Sequence, residues 1–136
     1  PDLSFFRFRF SVSIFLWSLL LLHLRYFFMD KPLYEAAKRG DLEGIKTALN
    51  NGARIDARFG SDGRTVLMVC AAEGHVDCLA ELLARGAAVN GGDDEDGTTA
   101  LMWAAQEGQV GSAKLLVEAG ALIACADRSS GWTAAL

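Results

Sequence analysis

The sequence predicts an all-α solenoid of stacked helix-turn-helix units with short β-turn fingers, on three observations. Its central stretch, GRTVLMVCAAEGHVDCLAELLARGAAVN from Gly63 to Asn90, is written again on both sides at a spacing of 34 positions. Leu67, Gly74, Gly86 and Ala87 fall onto Leu33, Gly40, Gly52 and Ala53 in one direction and onto Leu101, Gly108, Gly120 and Ala121 in the other. A period of that size marks a stacked array, because one such unit cannot bury its apolar face alone. Inside a copy, two short runs carry apolar residues at helical spacing and end on glycine. Between copies lie polar, turn-forming stretches: ARFGSDG, GGDDEDG and ADRSSG.

Residues 1–28 differ in kind from the rest. Arg7 and Arg9 precede an apolar run from Ser11 to Leu24 that ends at Arg25. Three readings stay open for this leader. As a signal peptide it has the basic and apolar regions but no small-residue cleavage site, since Arg25, Tyr26, Phe27 and Phe28 follow. As a membrane anchor it is short, because spanning takes about 20 apolar residues and this run reaches that only by including His23 and Arg25. As translated upstream sequence it has the Phe, Ser, Leu and Pro that pyrimidine-only codons encode, and the first Met is Met29.

The repeat array is expected over residues 29–136, with units at about 30–62, 63–96 and 97–130 and the start of a fourth at 131–136. In the first unit Asp30 is placed to cap a helix whose first turn holds Pro32, where a missing N–H costs nothing. Leu33, Ala36 and Ala37 form its inner side, while Glu35, Lys38, Arg39, Glu43 and Lys46 give the polar outer face of an N-terminal end unit. In the second unit Thr65 is the N-cap of a helix over residues 66–73, which Gly74 stops in the left-handed conformation. A second helix, from about Val76 to Arg85, carries Val76, Leu79, Leu82 and Leu83 on one face and Asp77 and Glu81 on the other, and Gly86 closes it. The third unit repeats this with Thr99 as cap, Val110, Ala113, Leu116 and Val117 as the apolar stripe, and Gly108 and Gly120 as stops. Small pairs, Ala36 with Ala37, Cys70 with Ala71 and Ala104 with Ala105, mark where adjacent helices approach closely. Trp132, Thr133 and Ala134 begin a fourth unit that Leu136 cuts short, so an uncovered apolar face on the third unit and a longer protein are the expectation.

The second copy closely resembles the ankyrin repeat, on Gly63, Thr65, Leu67, Cys70, Ala71, Gly74, His75, Leu82, Leu83, Gly86, Ala87 and Asn90. The third resembles it at Gly97, Thr99, Leu101, Ala104, Ala105, Gly108, Leu116, Val117, Gly120 and Ala121, and the likeness runs from Asp30 to the C-terminus. Two departures stand out. The family's Pro is Val66 or Ala100 and its His is Met68 or Met102, so the family's Thr-to-His hydrogen bond is expected to yield to a more apolar contact. The period is also one residue longer than the family's common length, which puts an extra residue in the exposed finger.

The resemblance implies a non-catalytic protein-interaction module without cofactor or metal, a monomer whose partner is another protein. It also implies a concave binding face made of fingertips and first helices. On this chain those positions are Lys38 and Arg39, then Asp62, Arg64, Ala72 and Glu73, then Asp96, Thr98, Gln106 and Glu107, with Trp132 at the end. They differ between copies while the framework columns stay fixed. Two rivals remain: a regulatory or targeting segment of a larger enzyme, and a membrane-tethered scaffold held by the leader.

Composition sets limits on other functions. With 13 basic and 17 acidic residues the net charge is −4, and the dispersed Lys and Arg make no phosphate-binding surface for nucleic acid. Cys70, Cys78 and Cys125 form no C-x-x-C pair and are odd in number, which fits a reducing compartment such as the cytoplasm. His75 lies near Cys70 and Cys78, but it fills a framework position, with no oxyanion donors or orienting carboxylate nearby. Met68, Met102 and Trp103 read as packing along the first helices. The run Asp93, Asp94, Glu95, Asp96 lacks the glycine and glutamate spacing of a calcium loop, and reads as a solvated acidic fingertip or a contact for a basic partner.

Overall fold

The computed structural model describes residues 3–123, with the backbone alone for residues 3–13. After α1 (Leu3–Arg25) and a π-helical turn over Tyr26–Asp30, the chain forms three helix pairs: α2 (Lys31–Arg39) and α3 (Leu42–Asn50), α4 (Val66–Glu73) and α5 (Val76–Ala84), α6 (Ala100–Gln106) and α7 (Val110–Glu118). The first helices stack in one layer, α2 on α4 on α6, and the second helices in another, α3 on α5 on α7. Two hairpin fingers join the pairs, each closed by one antiparallel bridge, Phe59 with Arg64 and Gly92 with Thr99.

Local chemistry explains where each helix starts and stops. The Thr65 and Thr99 hydroxyls accept the amide protons of Met68 and Met102, each at 3.4 Å, and so cap α4 and α6 as expected. At the first of these caps the Thr65 amide in turn donates to the Met68 sulfur at 3.5 Å. The expected apolar contact is therefore a polar reciprocal cap with sulfur in the place of nitrogen, because a thioether is itself a weak acceptor. The first helices end where Gly40, Gly74 and Gly108 turn left-handed at φ 71°, 77° and 69°. At Gly40 and Gly74 there is a second reason for glycine, since a Cβ would run into the side chains of His75 and Gln109 from the next unit.

The core lies between the layers. Leu33, Ile45, Leu67, Met68, Leu79, Leu82, Leu101, Met102 and Leu116 are fully buried, as are Ala37, Cys70, Ala71 and Ala104 where small residues let helices close up. Val76 and Val110, expected on the apolar stripe, are 40 % and 65 % exposed. Each is the first residue of its helix, and the neighbour that meets Val76 is Gly111 of α7, which has no side chain to cover it, so the stripe is narrower than its periodicity implies.

A second correction concerns Asp30. Its backbone is helical and its side chain caps nothing, because α1, the π turn and α2 run on without a break. The carboxylate is instead completely buried and accepts from the Arg54 amide at 3.0 Å and from Arg54 Nε and Nη2 at 3.1 and 2.8 Å. Arg54, Ala88 and Leu122 occupy one column of the repeat, just past the end of each second helix. Their amides find acceptors in Asp30, in Asp56 at 3.0 Å and in Asn90 at 2.8 Å, the latter two each 32 residues upstream. Asp30 thus takes, from a different place in sequence, the role that the previous unit's Asp56 or Asn90 plays elsewhere.

The leader helix stands apart from this packing. From Ile14 onward its side chains are exposed all round, Trp17 at 63 % and Leu22 at 64 %, and Arg25 Nη2 donates to the Gly52 carbonyl at 3.3 Å. Among the described residues no helix is long and apolar enough to cross a membrane.

Leu82→Ala should cost about 2–5 kcal/mol as a large-to-small change inside the central unit, whereas exposed Asp77→Ala should stay within about 0.5 kcal/mol. Urea melts of both variants check the helix register, and equal losses would refute it. Asp30→Ala leaves the Arg54 amide without its acceptor and should cost about 1–3 kcal/mol in the same melts.

Candidate interaction face

The residues expected to bind a partner fall in two rows, one at each end of the first helices. Lys38 with Arg39, Ala72 with Glu73, and Gln106 with Glu107 sit at the C-terminal ends of α2, α4 and α6. Asp62 with Arg64, and Asp96 with Thr98, sit at the bases of the two fingers, about 12 Å away along the eight residues of α4. Lys38, Arg39, Glu73, Gln106 and Glu107 are exposed, while Asp62, Arg64, Ala72, Asp96 and Thr98 are half-buried. Trp132 lies outside the described residues, as do Cys125 and the start of the fourth unit.

The fingers are held more firmly than a solvated loop would be. Asp93, expected in a solvated tip, is 5 % exposed, and its Oδ1 accepts the amides of Asp96, Gly97 and Thr98 at 3.0, 2.9 and 3.2 Å. Three donors on one oxygen fix the turn, so this carboxylate folds the finger and leaves Asp94, Glu95 and Asp96 to the surface. Arg58 spans the two fingers. Its Nη1 donates to the carbonyls of Gly63 and Gly92, each at 2.9 Å, and pairs with Asp94 at 3.2 Å. Phe59 is buried against Tyr34, ring centroids 4.8 Å apart, and anchors the first finger to α2.

Sequence reasoning missed one residue here. Trp103, half-buried on α6, lies under the Arg64 guanidinium, whose Cζ is 3.8 Å from the ring centroid. Arg64 Nε also meets Asp62 Oδ2 at 2.5 Å, an ionic contact whose angle falls outside a hydrogen bond, since the same nitrogen has no aligned acceptor. The indole Nε1 is buried and lacks a hydrogen-bond partner among the described residues. Acid, cation and aromatic ring therefore form one assembly that crosses from the second unit to the third. The signal was present in the column Glu35, Val69, Trp103, where a large aromatic replaces small or polar residues on the finger side.

A family model of ankyrin repeats, in three copies, matches residues 33–127 of the chain. No curated protein sequence matches it.

The thiols beside this face offer no nucleophile. Burial pushes the Cys70 thiol up to about 12, with the neighbouring Cys78 adding to the rise. Cys78 is raised as well, by burial first and then by the charges of Asp77 and Asp41. His75 turns away, its Nε2 3.3 Å from the Lys38 carbonyl. Among the described residues no group of three or more His, Cys, Asp or Glu side chains could hold a metal ion. A pKa that folding raises from 9.0 contributes stability that is full below pH 9 and is lost as pH climbs toward 12. Thermal melts across that window should show stability falling, and Cys70→Ala should flatten the fall. Alkylation of Cys70 at neutral pH, read on its own peptide by mass spectrometry, should be slow in the folded chain and fast in urea, and equal rates would contradict the buried thiol.

Proposed function

The chain belongs to the ankyrin repeat family, and from that premise we propose that it binds a partner protein through the face formed by its fingers and the exposed sides of α2, α4 and α6. Ankyrin repeats are in general protein-protein interaction modules and typically non-catalytic. The observation that carries the reading for this chain is the contrast between its two kinds of position. Framework columns such as Leu33, Leu67 and Leu101 repeat and are buried, while the columns at the ends of the first helices change from the first unit to the next and present exposed side chains without ion-pair partners, Lys38, Arg39, Glu73, Gln106 and Glu107. A framework bound together by backbone caps and interlocked fingers holds those side chains in fixed relation, and rigid presentation lowers the ordering cost of association.

The free thiols of Cys70 and Cys78 suit a reducing compartment, and we place the protein in the cytoplasm on that account. The repeat array over residues 29–136 is the binding unit in this reading.

A photocrosslinking amino acid placed at Glu73 or Gln106 should form an adduct with a protein partner in cells. The same group at Ala80 or Lys114, exposed on the second-helix layer, should not. Adducts arising from the second pair alone would overturn the assignment of the face.

A further inference from the structure

We propose that the partner is a cationic protein segment laid across the seam between the second and third units, a reading that rests on the finger face being the interaction surface. The charges on that face are unevenly spread. Glu73, Glu95 and Glu107 are exposed and Asp96 is half-buried, and among the described residues no cation stands within ion-pairing distance of any of them. The other acids of the fingers are engaged: Asp62 with Arg64, Asp94 with Arg58, and Asp93 with three backbone amides. In the first unit the place of Glu73 and Glu107 is taken by Arg39, with Lys38 beside it. The sign of one repeat column therefore reverses between the first unit and the next two. Stacked helices lie about 8–10 Å apart, so the reversal happens within one helix diameter and gives a bound chain a direction. Lys or Arg side chains over Glu73 and Glu107 are attracted, and the same side chains over Arg39 are repelled.

The seam itself supplies the uncharged part of the site. Arg64 is held over the Trp103 ring, its Cζ 3.8 Å from the centroid, and paired with Asp62, and its two terminal nitrogens have no hydrogen-bond acceptor among the described residues. A guanidinium already fixed in the free protein loses little rotamer freedom on binding. Asp62 beside it, and Asp96 at the equivalent place of the next finger, disfavour a partner carboxylate there. A main-chain carbonyl meets the same N–H edge without that repulsion. The geometry thus accommodates a segment whose backbone rests on Arg64, beside half-buried Trp103, while its basic side chains reach the unpaired acids. Trp and Arg are also the residues on which binding energy most often concentrates.

Random peptides displayed on phage and selected against the full chain at low salt provide the test. The enriched peptides should carry net positive charge and bind more weakly as salt is raised. The double variant Glu73→Lys, Glu107→Lys should weaken them by about tenfold or more, Trp103→Ala should do likewise, and Arg39→Glu should tighten them. Both glutamates are exposed, so the reversal is compatible with folding, and an unchanged circular-dichroism melt verifies it. Neutral or acidic peptides that still depend on Trp103 would overturn the cationic partner and leave the face intact. Peptides indifferent to every one of these variants would overturn the face as well, and a selection that enriches nothing would overturn the docking of a short segment.

Discussion

Past the end of each second helix, one backbone amide points out of its own unit and must find an acceptor in what lies before it. Asp56 and Asn90 supply that acceptor to Ala88 and Leu122. Ala88 and Leu122 are themselves exposed, so these bonds link each unit to its predecessor in a fixed register rather than rescue a buried amide. The first unit meets the same demand by another route. The π turn over Tyr26–Asp30 brings Asp30 under Arg54, and the buried carboxylate takes both the amide and the guanidinium. The finger interlocks and the seating of His75 against Gly40 join neighbouring units in the same register.

Much of the scaffold was legible in the sequence because it is governed by short-range chemistry. Thr65 and Thr99 announce helix starts, Gly40, Gly74 and Gly108 announce stops, and the period places Leu33, Leu67 and Leu101 in one buried column. What escaped depends on contacts that periodicity does not encode. Asp30 looks like a cap until the helix is seen to continue through it. Val76 and Val110 have the right phase for burial but sit at helix starts, and over Val76 the next unit offers only Gly111. Met68 departs from the family's histidine in type, yet its sulfur performs the same reciprocal cap.

Where the proposed face's residues fall along the repeat was legible, and how they pair was not. Those residues follow from the resemblance and the repeat register, and register says nothing about pairing. Only the structure reveals that Asp93 is consumed in folding its own finger, whereas Glu95 and Asp96 are left to the surface. Arg64 and Trp103 are 39 positions apart, a separation unrelated to the period, so the repeat marks Trp103 as an odd residue in its column and does not tell which side chain meets it.

Because one half of that stack belongs to the second unit and the other half to the third, it exists only while the two units are docked. Any ligand that grips both halves binds the docked state and not the opened one. By mass action it must then raise the free energy of separating the third unit from the array, in proportion to the logarithm of its concentration once saturating. Recognition and cohesion of the solenoid are in this way a single linked equilibrium, with occupancy of the face serving as a clamp on the fold that displays it.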